Sequence, residues 1–159
     1  MKDINAYLPI LKVFKEHQLH FLLMGTWALK WTYPKLMEQY EVTDCDLLIK
    51  NSQSSIINSI TLLKANGWTV SVWEEEIDAG VTATFLKGKY YLRAQQASLV
   101  LDLTYECSLF SWPTLWSSKI EVKGMPVAGL SHMLALKKEK GRDKDLQVVE
   151  LFENQIKFR

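Results

Sequence analysis

The stretch from Phe21 to Ile49 restricts this chain more than any other. Phe21-Leu22-Leu23-Met24 is a short, wholly apolar run, Gly25-Thr26 follows it, and Trp27 to Tyr33 suits a helix. A glycine at such a turn lets the backbone approach a neighbour closely. Thr26 is expected to cap the helix and leave free N–H groups aimed at an anion such as phosphate. After a polar loop, Asp44-Cys45-Asp46-Leu47-Leu48-Ile49 reads as a second strand. Side chains alternate along a strand, so Asp44, Asp46 and Leu48 share one face and Cys45, Leu47 and Ile49 the other.

The purely apolar face is core. The two aspartates, about 6 to 7 Å apart at Cα by strand rise, repel one another and raise each other's pKa unless a cation neutralises them. They can converge on one divalent ion if a third ligand completes the site. Read alone, an Asp-x-Asp pair more often solubilises an exposed strand end, and a Gly-Thr turn is more often an ordinary connection.

Taken together, these residues resemble the nucleotidyltransferase superfamily of the polymerase-beta type. Its pattern is a Gly-Gly or Gly-Ser turn, a helix, and then Asp-h-Asp-h with h apolar. Gly25-Thr26 and Asp44-Cys45-Asp46-Leu47 stand at those places. The Gly-x-Trp-Ala-Leu start at Gly25 to Leu29 looks most like the antibiotic-modifying and abortive-infection-toxin branches. The resemblance implies an α+β fold: a nucleotidyltransferase-like core with a mixed β-sheet, helices packed on it and two C-terminal helices. Members of the toxin-like branch tend to carry an arginine shortly before the aspartate pair, where this chain has Tyr40 and Glu41.

Length and composition agree with a single domain over residues 1–159. The chain is 48% hydrophobic and 23% charged, as in soluble globular proteins. No apolar run reaches the roughly 20 residues of a membrane span. The N-terminal stretch lacks a continuous apolar h-region and a cleavage site, so the cytoplasm is the expected compartment. Cys45 and Cys107, the only cysteines, are each placed on the apolar side of a strand as free thiols. The net charge of +1 lacks the electrostatic footprint of a protein that tracks a nucleic-acid backbone.

Along the rest of the chain, Asp3 is expected to cap a first helix with Tyr7, Leu8, Leu11 and Phe14 inward, and Pro34 to stop the second. Asn51 or Ser52 caps a crossover helix from Gln53 to Asn66. Trp68 to Trp73, Val81 to Leu86 and Tyr90 to Arg93 read as strands of a sheet extension. Lys119 to Val122 reads as a further strand, Gly124-Met125-Pro126 as a turn, and Leu130 to Lys140 as a helix. A last helix carries the stripe Leu146, Val149, Leu151 and Phe152.

Two charges in apolar settings stand out. Asp102 sits in the strand Ser98 to Cys107, flanked by apolar residues on both sides, where a charge is costly unless paired or bound to metal. Its bland role is as the partner of one lysine or arginine. The resemblance implies instead a third metal-binding aspartate at this point. Lys137 falls on the inward stripe of its helix, three residues after Leu134. Its stem can snorkel outward, but the resemblance implies a lysine on the nucleotide phosphates. The Arg142 to Asp145 cluster reads as a structural salt bridge, and His132 as structural.

The resemblance therefore implies a metal-dependent transfer of an NMP from an NTP to a hydroxyl of a small molecule or protein, with release of pyrophosphate. Asp44, Asp46 and Asp102 would be the catalytic and metal-binding residues, and Gly25, Thr26 and Lys137 would hold the nucleotide. The metal implied is Mg²⁺, with Mn²⁺ as its substitute, because the ligands are carboxylate and phosphate oxygens. The rival is a catalytically inactive domain that binds a nucleotide or a protein partner, such as the other half of a toxin–antitoxin pair. The catalytic reading requires that the three aspartates meet, and that no lysine or arginine fill the cation's place.

Overall fold

The structure is a computed structural model, and residues 3–157 are described. Its centre is a mixed eight-stranded sheet in the order β4-β3-β5-β6-β2-β1-β8-β7. The strands are β1 (Phe21–Met24), β2 (Cys45–Ile49), β3 (Thr69–Val72), β4 (Glu75–Glu76), β5 (Tyr91–Gln96), β6 (Leu99–Thr104), β7 (Ile120–Val122) and β8 (Met125–Val127). The pairs β2–β6 and β1–β8 are parallel, and the remaining pairs are antiparallel.

Seven α-helices accompany the sheet among the described residues: α1 (Leu8–Glu16), α2 (Gly25–Thr32), α3 (Gln53–Ala65), α4 (Ala83–Leu86), α5 (Trp112–Ser117), α6 (Leu130–Lys140) and α7 (Asp143–Lys157). A 3-10 turn, Ile4–Tyr7, leads into α1 and is capped by the Asp3 carboxylate, which accepts from the Asn5 N–H. Pro9 sits in the first turn of α1, where no intrahelical donor is lost. Ser52 caps α3 by accepting from the Ser55 N–H. This α+β architecture is the one the resemblance implied.

Alternation divides the central strands cleanly. Leu23, Leu47, Ile49, Leu101 and Leu103 enter the main core with Leu11 and Phe14 of α1, Trp27 of α2, Ile60 of α3 and Phe152 of α7. Leu22 and Leu48 point to the opposite face, where Leu115 of α5 covers them in a second, smaller cluster. Asp46 and Asp102 share that second face, beyond the edge of the α5 cover.

Several local expectations are corrected. Val81 to Leu86 is not a strand: Thr82 accepts from the Phe85 N–H and starts the helical turn α4. Gly124 turns the chain together with Lys123, both at positive φ, so Met125 and Pro126 belong to β8. Pro126 is tolerated because β8, although flanked by β1 and β7, is only three residues long and meets β1 at the single pair Leu23–Val127. Leu146 is 45% exposed while Val148 is buried, so the inward stripe of α7 runs through Val148, Val149 and Phe152. Cys107 lies past the end of β6 and is partly exposed, whereas Cys45 is buried and its thiol is pushed well up by that burial.

Candidate functional site

The parallel register of β2 and β6 brings two of the acidic residues together. Asp46 stands directly beside Asp102, and Asp44 immediately precedes β2 on the same face. Carboxylate oxygens of Asp44, Asp46 and Asp102 all lie within 4.8 Å of one another. Three carboxylates so close are mutually destabilising without a compensating cation. Asp46 registers this: burial, and then the charges of Asp44 and Asp102, push its pKa up to about 6.

Met24 of β1 lies opposite Asp46, so the chain leaves the strand for α2 right beside that carboxylate. Gly25 has φ +70°, and a Cβ there would stand 2.5 Å from Asp46 Oδ2. Only glycine allows both this backbone conformation and this approach. Helix α2 begins at Gly25, and no side chain caps it. Thr26 is thus not the cap the sequence suggested but a residue of the first turn. Its Oγ1 accepts a hydrogen bond from Lys137 Nζ at 3.1 Å.

Lys137 of α6 is only 7% exposed and also donates to Asp145 Oδ1 at 3.2 Å. Burial lowers the lysine's pKa, and the bond to Asp145 opposes the shift. Asp145 is 1% exposed and receives two further bonds from Arg142. Burial alone would raise the Asp145 carboxyl, but Arg142 and Lys137 outweigh it and hold the carboxyl below its ordinary value. The Arg142–Asp145 pair is therefore a structural bridge, and it includes Lys137 as well. A cavity of about 210 Å³ opens between Gly25, Asp46, Lys137 and Lys140, and the positive charges of both lysines act on Asp46 across it.

On the other flank an arginine takes the cation's place at Asp102, so the requirement for a vacant position is met only on the Asp46 side. Arg93 of β5 stands opposite Asp102 in the antiparallel register and grips it with two bonds, Nε to Oδ1 and Nη2 to Oδ2, each 2.8 Å. The same Nη2 is 4.0 Å from Asp44 Oδ2. Asp102 thus takes part in the acidic trio and also has the arginine partner of its bland reading.

The set of donors fits a hard divalent ion at Asp44 and Asp46: carboxylate oxygens only, a raised pKa on one of them, and a glycine-only approach beside it. No hydrogen bond or ion pair to the Asp46 carboxylate occurs among the described residues.

No family model matches the sequence, and no curated protein matches it. Solved structures do. The antibiotic-resistance factor ANT(2'')-Ia, in its complex with adenylyl-2''-tobramycin, superposes with a TM-score of 0.62 at 14% identity, covering 96% of this chain and 88% of that one. TM1012 of Thermotoga maritima, a proposed nucleotidyltransferase, gives a TM-score of 0.59 at 12% identity, covering 96% of this chain and 92% of that one. The Megavirus polyadenylate synthase gives 0.56 at 13% identity, with 93% of this chain matched to 31% of the larger protein.

The chain has the nucleotidyltransferase fold.

Within this nucleotidyltransferase fold, sequence reasoning placed Gly25, Thr26, Asp44, Asp46, Asp102 and Lys137, and the structure brings all six around one face of the sheet. It missed Arg93 and Lys140. Arg93 had a signal: Ala97-Ser98 is a two-residue turn between β5 and β6, with Ala97 at positive φ, and pairing back from it sets Arg93 against Asp102. Lys140 had one too, standing three residues after Lys137 on the same helix face. On the far side of Arg93, a second cavity of about 680 Å³ lies over β3 and β5, bordered by Trp73, Glu74, Glu76 and Tyr91.

Proposed function

We propose that the chain is a metal-dependent nucleotidyltransferase that moves an NMP from an NTP to a hydroxyl of a small molecule or protein and releases pyrophosphate. The observation that carries this reading is the meeting of Asp44, Asp46 and Asp102 within 4.8 Å, opposite a turn where only Gly25 fits. Mg²⁺, or Mn²⁺ in its place, would be held by Asp44 and Asp46 and would supply charge neutralisation on the triphosphate.

The chain's own groups divide the remaining work. Gly25 and Thr26 let the triphosphate approach the start of α2, and Lys137 and Lys140 offset its negative charge from the other wall of the cavity. The acceptor hydroxyl attacks the α-phosphorus, the bond to the bridging oxygen breaks, and pyrophosphate leaves. In this reading the hydroxyl proton passes to the Asp102 carboxylate, whose partner Arg93 borders the second cavity.

That second cavity supports a small-molecule acceptor. Trp73 and Tyr91 offer flat apolar surface, and Glu74 and Glu76 favour positive charge. The fold likeness to ANT(2'')-Ia, which is seen with an adenylylated tobramycin, points the same way. No helix among the described residues is long and apolar enough to cross a membrane, and we place the activity in the cytoplasm.

The grip of Arg93 on Asp102 favours a second reading, a non-catalytic domain that binds a nucleotide or a protein partner such as a toxin–antitoxin counterpart. Incubation with Mg²⁺, each NTP, and acceptors including tobramycin and cell extract separates the two. Pyrophosphate release that disappears in Asp46→Ala supports transfer. Tight NTP binding without release supports the second reading.

A further inference from the structure

Arg93 holds both oxygens of one of the three clustered aspartates, although the reaction just described gives it no task. Its guanidinium fork occupies both oxygens of Asp102 at 2.8 Å and reaches within 4.0 Å of Asp44. Asp46, by contrast, faces Lys137 and Lys140 across a cavity. Charge compensation is therefore split. The outer edge, Asp44 with Asp102, already carries a cation supplied by the chain, and the inner edge at Asp46 does not.

We infer that Arg93 is a positioning residue that serves as a built-in cation, taking the place of a second divalent ion on Asp102, so that the site holds one metal while Arg93 is docked. The inference rests on the nucleotidyl-transfer reading. A metal ion coordinates a carboxylate oxygen at about 2.0 to 2.6 Å, and both Asp102 oxygens are already used by N–H donors. Entry of a second ion means removing at least one of those bonds and bringing a dication against a guanidinium. A guanidinium stays charged at any working pH, so Arg93 does not yield by losing its proton. It can yield only by swinging away, and there is room: its side chain is 43% exposed and borders the cavity over β3 and β5. Lysine could not replace it, because a point charge cannot occupy both oxygens in one plane.

A merely structural tie between β5 and β6 would change stability but not the number of metals bound. The test is therefore a count of bound Mn²⁺ by electron paramagnetic resonance, with a non-hydrolysable NTP analogue present. The wild-type protein binds one Mn²⁺ per chain. Arg93→Met binds two, with a measurable Mn–Mn spin coupling, and adding Asp102→Asn to it returns the count to one. Arg93→Gln, which keeps a polar contact between the strands, gives the same gain and guards against misfolding of the methionine variant. Two ions on the wild type, or one on both Arg93 variants, overturns the role given to Arg93 and leaves the metal site itself standing. No Mn²⁺ on any of them overturns both this inference and the reading it rests on.

Discussion

Gly25 lies so close to Asp46 that a methyl group on its Cα would stand 2.5 Å from the aspartate's Oδ2. Strand β2 is locked between β1 and β6, so the backbone of Asp46 cannot retreat and the carboxylate must rotate instead. Gly25→Ala also forces a side chain into φ +70°, worth about 1 to 3 kcal/mol of strain. The expected result is a folded protein of lower Tm that no longer gains stability from Mg²⁺. Thermal unfolding with and without Mg²⁺ checks this, and an undiminished Mg²⁺ effect would contradict it.

The raised pKa of Asp46 makes a prediction about pH. Its folded value of about 6 lies above the ordinary 3.8, so the folded state binds the proton more tightly than the unfolded chain. Between those values the unfolded state holds fewer protons, and stability falls as pH rises. The loss amounts to roughly 3 kcal/mol once pH exceeds about 6. Metal-free protein is therefore expected to unfold at lower urea at pH 7.5 than at pH 4.5, as far as this group is concerned. Asp46→Asn removes that difference, and raises stability at pH 7.5 while abolishing transfer. Urea titrations of both proteins at the two pH values are the measurement, and an unchanged pH dependence in the variant would refute the assignment.

The buried pair of Lys137 and Asp145, with the exposed Arg142 as its third member, responds unequally to its two obvious substitutions. Asp145→Ala leaves the Lys137 ammonium buried with only Thr26 to meet it, which costs about 3 to 5 kcal/mol. Lys137→Met keeps the volume, and Arg142 still pairs with Asp145, so the loss is that of one hydrogen bond to a charged group, about 1.5 to 3 kcal/mol. Denaturant unfolding of the two single variants and the double variant gives the ranking and the coupling. Equal losses would mean that Lys137 is not the dependent partner. The methionine variant is also expected to bind NTP at least tenfold more weakly, read by calorimetry.

Much of this site was legible because strand alternation is strict. Once Asp44 to Ile49 is a strand, Leu47 and Ile49 fix which face is core, and the aspartates have only one side left. The same logic in β6 gave the face of Asp102, and the helix stripe after Leu134 gave that of Lys137, while their place in one site came from the family resemblance. What sequence reasoning lost were matters of partner and short range. Arg93 looks like any strand arginine until the Ala97-Ser98 turn sets its register against Asp102. Val81 to Leu86 has strand composition, but four residues behind a capping threonine form a helical turn at lower cost than an unpaired strand. Thr26 has the chemistry of a cap, yet the helix begins one residue ahead of it because Gly25 can take up positive φ at the end of β1.

The central claim is that Asp44, Asp46 and the Gly25 turn form one site for a metal-bound triphosphate. Calorimetric titration with a non-hydrolysable NTP analogue, in Mg²⁺ and in EDTA, on wild type and Asp46→Asn, tests it most directly. The account predicts binding that requires Mg²⁺ and is lost in Asp46→Asn. Binding of equal strength in EDTA, or unchanged by that substitution, would contradict it.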